Sequence, residues 1–323
     1  MKKYAILCSG GDCQGMNACI KAFVNTCNAH GQKAIGVLRG FQGLIDNEFI
    51  DLKDEMVENI ANIGGTIIKT SRSEEFTTPS GFQKSLKNLK KHNIDSLVIL
   101  GGDGSFRGAA ELHKNGIKVI CIPSTIDNDL FYTDNTLGFD TAVMNAVAAI
   151  DNIKQTMSST DKAMIIELMG RNCGDIALYT ALVIGADSVA LAEVDTKIKN
   201  IVSDVSLSIE RGCKSPVVIM SEALDYSVKD VEKAIQKHLG LEVRSSELGY
   251  IQRGGAPSLL DRMLAVEFAI RAFMLLNEGK SGFALGVDDN FVFDIPIEEA
   301  NQAPKRFRKD LLNKLYILKN RVN

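Results

Sequence analysis

Asp127 and Asp129 stand two residues apart in Thr125-Ile126-Asp127-Asn128-Asp129, directly after the apolar run Val119-Ile120-Cys121-Ile122 and Pro123. A short β-branched run closed by proline reads as a buried strand that ends at the proline. In the extended segment that follows, side chains alternate, so the two carboxylates are expected on one side. Paired in that way they can hold a metal ion, or one can take a proton while the other holds the metal. Asp and Asn are also ordinary turn residues, so the pair needs support from elsewhere in the chain.

Two glycine-rich strand ends supply it. Ala5-Ile6-Leu7-Cys8 runs into Ser9-Gly10-Gly11-Asp12 and then Gly15-Met16-Asn17, and Leu97-Val98-Ile99-Leu100 runs into Gly101-Gly102-Asp103-Gly104-Ser105. Each passes from an apolar strand into a helix, the first with Ile20, Phe23, Val24 and Cys27 on one face, the second with Ala109, Ala110 and Leu112 before Gly116. Backbone N–H groups at such a turn and the positive end of the helix cradle phosphate, and glycine lets the phosphate approach. No Gly-Lys-Ser or Gly-Lys-Thr follows either loop, and Arg107 stands where a third dinucleotide glycine would be. P-loop hydrolysis and NAD chemistry are therefore disfavoured. Phosphoryl transfer from another kind of cradle remains, in which catalysis is mostly positioning and charge neutralisation.

Strand and helix patterns alternate along the whole chain, which predicts an α/β fold of mainly parallel sheet. Thr141 is placed to cap a helix with Val143, Ala146, Val147, Ile150 and Ile153 on its apolar face. Ala163–Leu168 reads as a strand leading into Met169-Gly170-Arg171, and Pro216–Met220 as one ending at Ser221-Glu222. The 323 residues, 45% of them apolar, can bury a large core and suit two domains. A formal charge of -3 offers no basic field for nucleic acid or membrane. Seven cysteines without a CxxC pair suggest free thiols and a cytoplasmic protein. His30, His92, His113 and His238 have no metal-ligand spacing.

As an ordered set, these segments resemble the bacterial-type ATP-dependent 6-phosphofructokinase family over nearly the whole chain. The resemblance is carried by Ser9–Asn17, Gly101–Ser105, Thr125–Asp129, Met169-Gly170-Arg171, Glu222 and Gly249-Tyr250-Ile251-Gln252-Arg253-Gly254-Gly255. It implies two interleaved domains with mainly parallel sheets flanked by helices, residues 1–140 plus 257–305 for ATP and 141–256 plus 306–323 for the sugar phosphate. It implies phosphorylation of fructose 6-phosphate at the 1-hydroxyl, with Asp127 as proton acceptor and Mg²⁺ held by Asp103 and Asp129. Gly11, Arg72, Thr125 and Arg171 would attend the transferred phosphate, and Gly11, Phe41, Arg72, Ser73, Gly102, Asp103, Gly104 and Ser105 the nucleotide. Sugar recognition would fall to Thr125, Ile126, Asp127, Met169, Gly170, Arg171 and Glu222, with Lys162, Arg244, Tyr250 and Arg253 at its phosphate end.

Relatives usually carry arginine at position 162 and histidine at position 250, and residue 162 usually reaches across from a neighbouring subunit of a homotetramer. In this chain those positions hold Lys162 and Tyr250. The positions that match the family's effector pocket read Lys21, Asn25, Asp54, Lys154, Asp187, Arg211 and Cys213, a set in which Asn25 and Asp54 weaken anion binding. A diphosphate donor, or a catalytically silent nucleotide-sensing subunit, are the alternatives on the same scaffold. Diphosphate-using relatives typically place Asp at position 104 and Lys at position 124, where this chain has Gly104 and Ser124.

Overall fold

The computed structural model describes residues 2–319. Its strands are β1 (Lys3–Cys8), β2 (Lys33–Val37), β3 (Phe49–Asp51), β4 (Ser96–Gly101), β5 (Lys118–Pro123), β6 (Ala163–Leu168), β7 (Ser188–Ala190), β8 (Val217–Ser221), β9 (Val243–Glu247), β10 (Phe283–Asp288) and β11 (Phe291–Pro296). They form two sheets in two compact units. The first unit takes the chain up to Ile126, then Leu130–Thr141 and Arg253–Lys305. The second takes Asp127–Asp129, Ala142–Gln252 and the chain from Arg306.

In the first unit the strand order is β11-β10-β5-β4-β1-β2-β3. The pairs among β10, β5, β4, β1 and β2 are parallel, and the edge strands β3 and β11 are antiparallel. The interior strands are buried on both faces, which is why they read as unbroken apolar runs. Ala5, Leu7, Leu97, Ile99, Val119 and Cys121 face a core shared with Phe106, Ala109 and Leu112 of helix Asp103–Lys114. Tyr4, Ile6, Val98, Leu100 and Ile120 are equally buried, and helix Met16–Ala29 packs on helix Leu259–Asn277. The second unit is a four-stranded parallel sheet of order β7-β8-β6-β9. Ala163, Ile165, Val218 and Met220 pack there against Ile201, Val205, Val231 and Ile235 of two helices.

Thr141 departs from its expected role. The helix begins two residues earlier, at Phe139 (Phe139–Ser158), so Thr141 lies inside its first turn. The donors there are satisfied by Asp261, 120 residues away, which accepts from Gly138 N (2.8 Å), Thr141 N (3.0 Å) and the Thr141 hydroxyl. Burial raises the Asp261 carboxyl to about 6 from 3.8, against the lowering effect of those bonds. A raised acid contributes stability that is full below its unfolded pKa and is lost as pH rises through the folded one. At pH 5, one unit below the folded value, the contribution is about 1.4 kcal/mol larger than at pH 7–8. Urea titrations at those pH values should show that increment in the wild type, and Asp261→Asn should lose it. An unchanged pH increment in the variant would remove Asp261 as its source.

Candidate active site

In the first unit, β5, β4 and β1 are consecutive parallel neighbours, so the loops after them share the carboxyl edge of the sheet. β1 has β2 on one side and β4 on the other, which is the reversal of strand order where open α/β sheets bind ligands. Ser9–Asp12, Gly102–Ser105 and Ser124-Thr125 all lie at that edge. Ser105 Oγ donates to Ser9 O (3.3 Å) and joins the first two loops, while Ser124 N donates to Gly101 O (3.0 Å) and joins the second and third. Thr125 O accepts from Thr136 Oγ1 (2.6 Å).

The glycines here have different reasons. Gly10 has φ +92°, and a Cβ on Gly101 would strike the Ser105 side chain, so both are demanded by the protein itself. Gly104 has no positive φ and no atom within 4 Å of an added Cβ. Nothing in the fold requires glycine there, and Gly104 is exposed at the start of the helix. Asp103 opens helix Asp103–Lys114 with a half-exposed carboxylate paired to Arg107 one turn on. Thr70 Oγ1 donates to Gly10 O (2.9 Å) and Gly10 N reaches Ser71 O (3.5 Å), which stitches the segment carrying exposed Arg72 onto the first loop. Ser73 shapes the following turn, its Oγ donating to Gln42 Oε1 (2.7 Å) and accepting from Phe76 N (3.1 Å).

Two residues of the first unit sit differently from expectation. Phe41 is buried in the core, stacked on Phe76 with ring centroids 4.2 Å apart and pressed against Gly108. In that placement Phe76 covers one face of the ring, and Phe41 serves the packing of the core. Arg253 lies on the first loop: its Nη1 donates to Asp12 O (2.9 Å), and a Cβ on Gly11 would meet that nitrogen at 2.8 Å. Gly11 thus gives Arg253 its place among the phosphate-type loops.

In the second unit, Asp127 is 2% exposed and Ile126, the last residue of the first unit before it, is fully buried, leaving its backbone for contacts. Asn128 has φ +54° and donates from Nδ2 to Asp175 Oδ2 (2.9 Å). Burial raises the Asp175 carboxyl, with the Asn128 bond opposing. Met169, Gly170 and Arg171 follow β6, and Glu222 follows the adjacent β8. Glu222 Oε1 accepts from Gly170 N (3.2 Å) and Arg171 N (2.5 Å) and fixes a loop in which Arg171, a non-glycine residue, is held at φ +54°. Buried Gln252 accepts from Met169 N (3.3 Å) through Oε1. Burial, then the charges of Glu247 and Glu222, raise Glu167 beside this group.

The basic residues of the second unit are elsewhere. Lys162 precedes β6 and Arg244 lies opposite Met164 near the start of β9. Both pair with Glu242, at 3.0 and 2.6 Å, and the Lys162 bond lowers the Glu242 pKa. This is the amino edge of the sheet, whereas Met169–Arg171 and Glu222 are at the carboxyl edge. Six extended residues separate the edges by about 20 Å. One chain does not bring the two sets together.

A sequence profile described as Phosphofructokinase matches residues 3–276. The "ATP-dependent 6-phosphofructokinase" of Clostridioides difficile (strain 630) is 42% identical over 318 residues, 98% of this chain and 99% of that one. The chain belongs to the phosphofructokinase family. A protein of the same description from Clostridium botulinum (strain Hall) is 41% identical over 98% of this chain and 99% of its own length. The phosphofructokinase structure from Saccharomyces cerevisiae superimposes with a TM-score of 0.88 at 28% identity, covering 99% of this chain, which spans 48% of the yeast chain. The pyrophosphate-dependent phosphofructokinase of Marinobacter aquaeolei shares the fold (TM-score 0.83, 21% identity, 98% of this chain and 91% of that one).

Several of the effector-type positions are engaged by the chain itself. Lys21 donates to Glu58 O, and Asp54 accepts from Asn28 Nδ2 (2.6 Å), while Asn25 is exposed. In the second unit, Lys154 donates to Ile184 O (3.2 Å). Asp187 accepts from Val217 N (2.8 Å) and pairs with Lys319 (3.2 Å), and Arg211 donates to the Lys319 carbonyl. Cys213 is half-buried, and burial raises its thiol. Sequence reasoning missed two residues whose hydrogen bonds hold these loops. Gln252 stands inside a quoted motif and could have been found there, whereas Asp175 joins Asn128 across 47 positions with no sequence signal.

Proposed function

We propose that the chain transfers the γ-phosphoryl group of ATP to the 1-hydroxyl of fructose 6-phosphate, giving fructose 1,6-bisphosphate. The observation that carries this reading is the trio of loops at the switch-point edge of the first sheet, with Gly104 in open space and Asp127 two residues beyond Thr125. In this reading the first unit holds the nucleotide and the second the sugar phosphate.

The roles follow from position. Asp127 accepts the proton of the attacking hydroxyl, which becomes acidic as its oxygen bonds to phosphorus. The Gly11 N–H, the Thr125 hydroxyl, Arg72 and Arg171 stabilise charge on the transferred group, and Arg253, lying on Gly11, joins that set. Gly102, Gly104 and Ser105 line the phosphates of ATP, Ser73 holds the Arg72 turn, and Met169, Gly170 and Glu222 hold the sugar. Half-exposed Asp103 fits Mg²⁺, which keeps waters and binds through one or two carboxylates plus substrate phosphates; Asp129 is the second candidate. The ion neutralises phosphate charge when bound.

Lys162, Arg244 and Tyr250, the last 83% exposed, are assigned to the 6-phosphate. Because Lys162 and Arg244 occupy the edge opposite Glu222, we assign them to the site of a neighbouring copy in a homotetramer. The internal bonds of Lys154, Asp187 and Arg211 support weak binding of any anionic effector. Among the described residues no helix is long and apolar enough to cross a membrane, and we place the enzyme in the cytoplasm with its cysteines as free thiols.

The test is a coupled assay of fructose 6-phosphate with Mg²⁺ and either ATP or diphosphate. ATP should be used, and diphosphate should give kcat/KM lower by about 10²-fold or more. Gly104→Asp should lower kcat/KM for ATP by a similar factor, since a carboxylate facing nucleotide phosphate costs several kcal/mol. Comparable kcat/KM with diphosphate would overturn the choice of donor.

A further inference from the structure

We propose that Asp175 is a positioning residue for phosphoryl transfer, acting through Asn128 on the loop that carries Asp127 and Asp129. The proposal rests on the functional reading above. Asn128 stands between the two carboxylates with φ +54°, a left-handed conformation that among side-chain-bearing residues asparagine and aspartate adopt most readily. It is 5% exposed, so its amide needs a partner inside the protein. Asp175 provides one, at 2.9 Å, from a carboxylate that is itself 7% exposed. The Cys173 thiol lies 3.8 Å from the Asn128 carbonyl and marks the other side of the same residue. A left-handed turn residue held on both sides in this way has its backbone fixed by its surroundings, and such fixed residues cluster at sites whose geometry is part of the chemistry.

Asp175 is well placed to hold that geometry. It is the first residue of helix Asp175–Ile184, and the turn before it is fixed on several sides. Cys173 N donates to Gly170 O (2.9 Å), Gly174 N to Glu193 Oε1 (2.6 Å), and Gly170 and Arg171 N to Glu222. One short loop thus carries Arg171 at one end and the anchor of the Asp127 loop at the other. The Asp175–Asn128 bond ties the residues assigned to the sugar and transferred phosphate to the residue assigned to remove the proton. Backbone dihedrals at Asn128 set where Asp127 stands, and a displacement of 1 Å in a reacting group lowers rate by about 10²-fold.

Steady-state kinetics of the full chain with ATP, Mg²⁺ and fructose 6-phosphate test this. Asp175→Ala should lower kcat by roughly 10²-fold while the KM for ATP stays within about threefold. Asp175→Asn, whose amide oxygen still accepts from Asn128, should return kcat to within about tenfold of wild type. Asn128→Ala should fall as Asp175→Ala does, and the double variant should be no slower than either, the non-additivity expected of residues that act as a pair. An unchanged kcat in Asp175→Ala, a loss in Asp175→Asn equal to that in Asp175→Ala, or additive losses in the double variant would each overturn the proposal. A wild-type chain that transfers no phosphoryl group to fructose 6-phosphate would overturn the functional reading, and the positioning role with it. An active wild type with an indifferent Asp175 would overturn the positioning role alone.

Discussion

Asp127→Ser and Asp127→Asn are expected to lower kcat for fructose 6-phosphate and ATP by about 10²–10⁴-fold while leaving both KM values near wild type. A positioned proton acceptor supplies that range by itself, and it acts in the transition state, so its loss appears in kcat and not in ground-state binding. Asp127 is nearly fully buried, at 2% exposure, so bulk water is a poor substitute for its carboxylate. Asparagine keeps its shape and removes the basicity, which separates proton transfer from packing. Stopped-time assays with tight controls for wild-type contamination would read the residual rate. An Asp127→Asn enzyme within a few-fold of wild-type kcat would remove Asp127 as the base and direct attention to Asp129.

The parts legible in the sequence are those whose physics is local. Strands β1, β4 and β5 announce themselves as unbroken apolar runs because both faces of a parallel sheet are covered. The glycines after them mark sharp turns into helices, and Gly10 and Gly101 meet a conformational or steric need. What could not be read depends on register or on contacts distant in sequence. The capping of helix Phe139–Ser158 belongs to Asp261, which no pattern near Thr141 discloses. Phe41 is matched to the nucleotide by resemblance alone, and its stacking on Phe76 is a contact that the sequence does not disclose. Arg253 reads by resemblance as a sugar-phosphate cation, and its hydrogen bond to the Asp12 carbonyl beside Gly11 is a contact that no local pattern discloses. The resemblance alone draws residue 162 from a neighbouring subunit, and the parallel register of β6 and β9 places both Lys162 and Arg244 at the edge of the sheet opposite Glu222.

That last placement leads to the second large effect. If Lys162 and Arg244 bind the 6-phosphate and Glu222 binds the hydroxyls of the same sugar, one chain cannot supply both, since a strand of about 20 Å lies between them. A second copy must bring the basic pair, as closed symmetric oligomers allow. A chain carrying Lys162→Ala and Arg244→Ala should therefore lose activity at sub-millimolar sugar phosphate through a raised KM, each lost charged bond costing about 1.5–3 kcal/mol. The Asp127→Ser chain should be inactive through kcat. Co-expressed at equal levels, the two should complement. In a mixed oligomer, a site that takes Asp127 from one chain and the basic pair from the other is intact, and with random pairing about a quarter of sites are so composed. Activity should rise well above that of either parent, towards roughly a quarter of wild type. Lys162→Arg alone should lower the sugar KM several-fold, because a planar fork meets two phosphate oxygens where an ammonium is a point charge. If the mixed enzyme stays as inactive as its parents while each parent assembles normally, the basic pair does not serve a neighbour, and the 6-phosphate must be held by other residues, Arg253 and Tyr250 first among them.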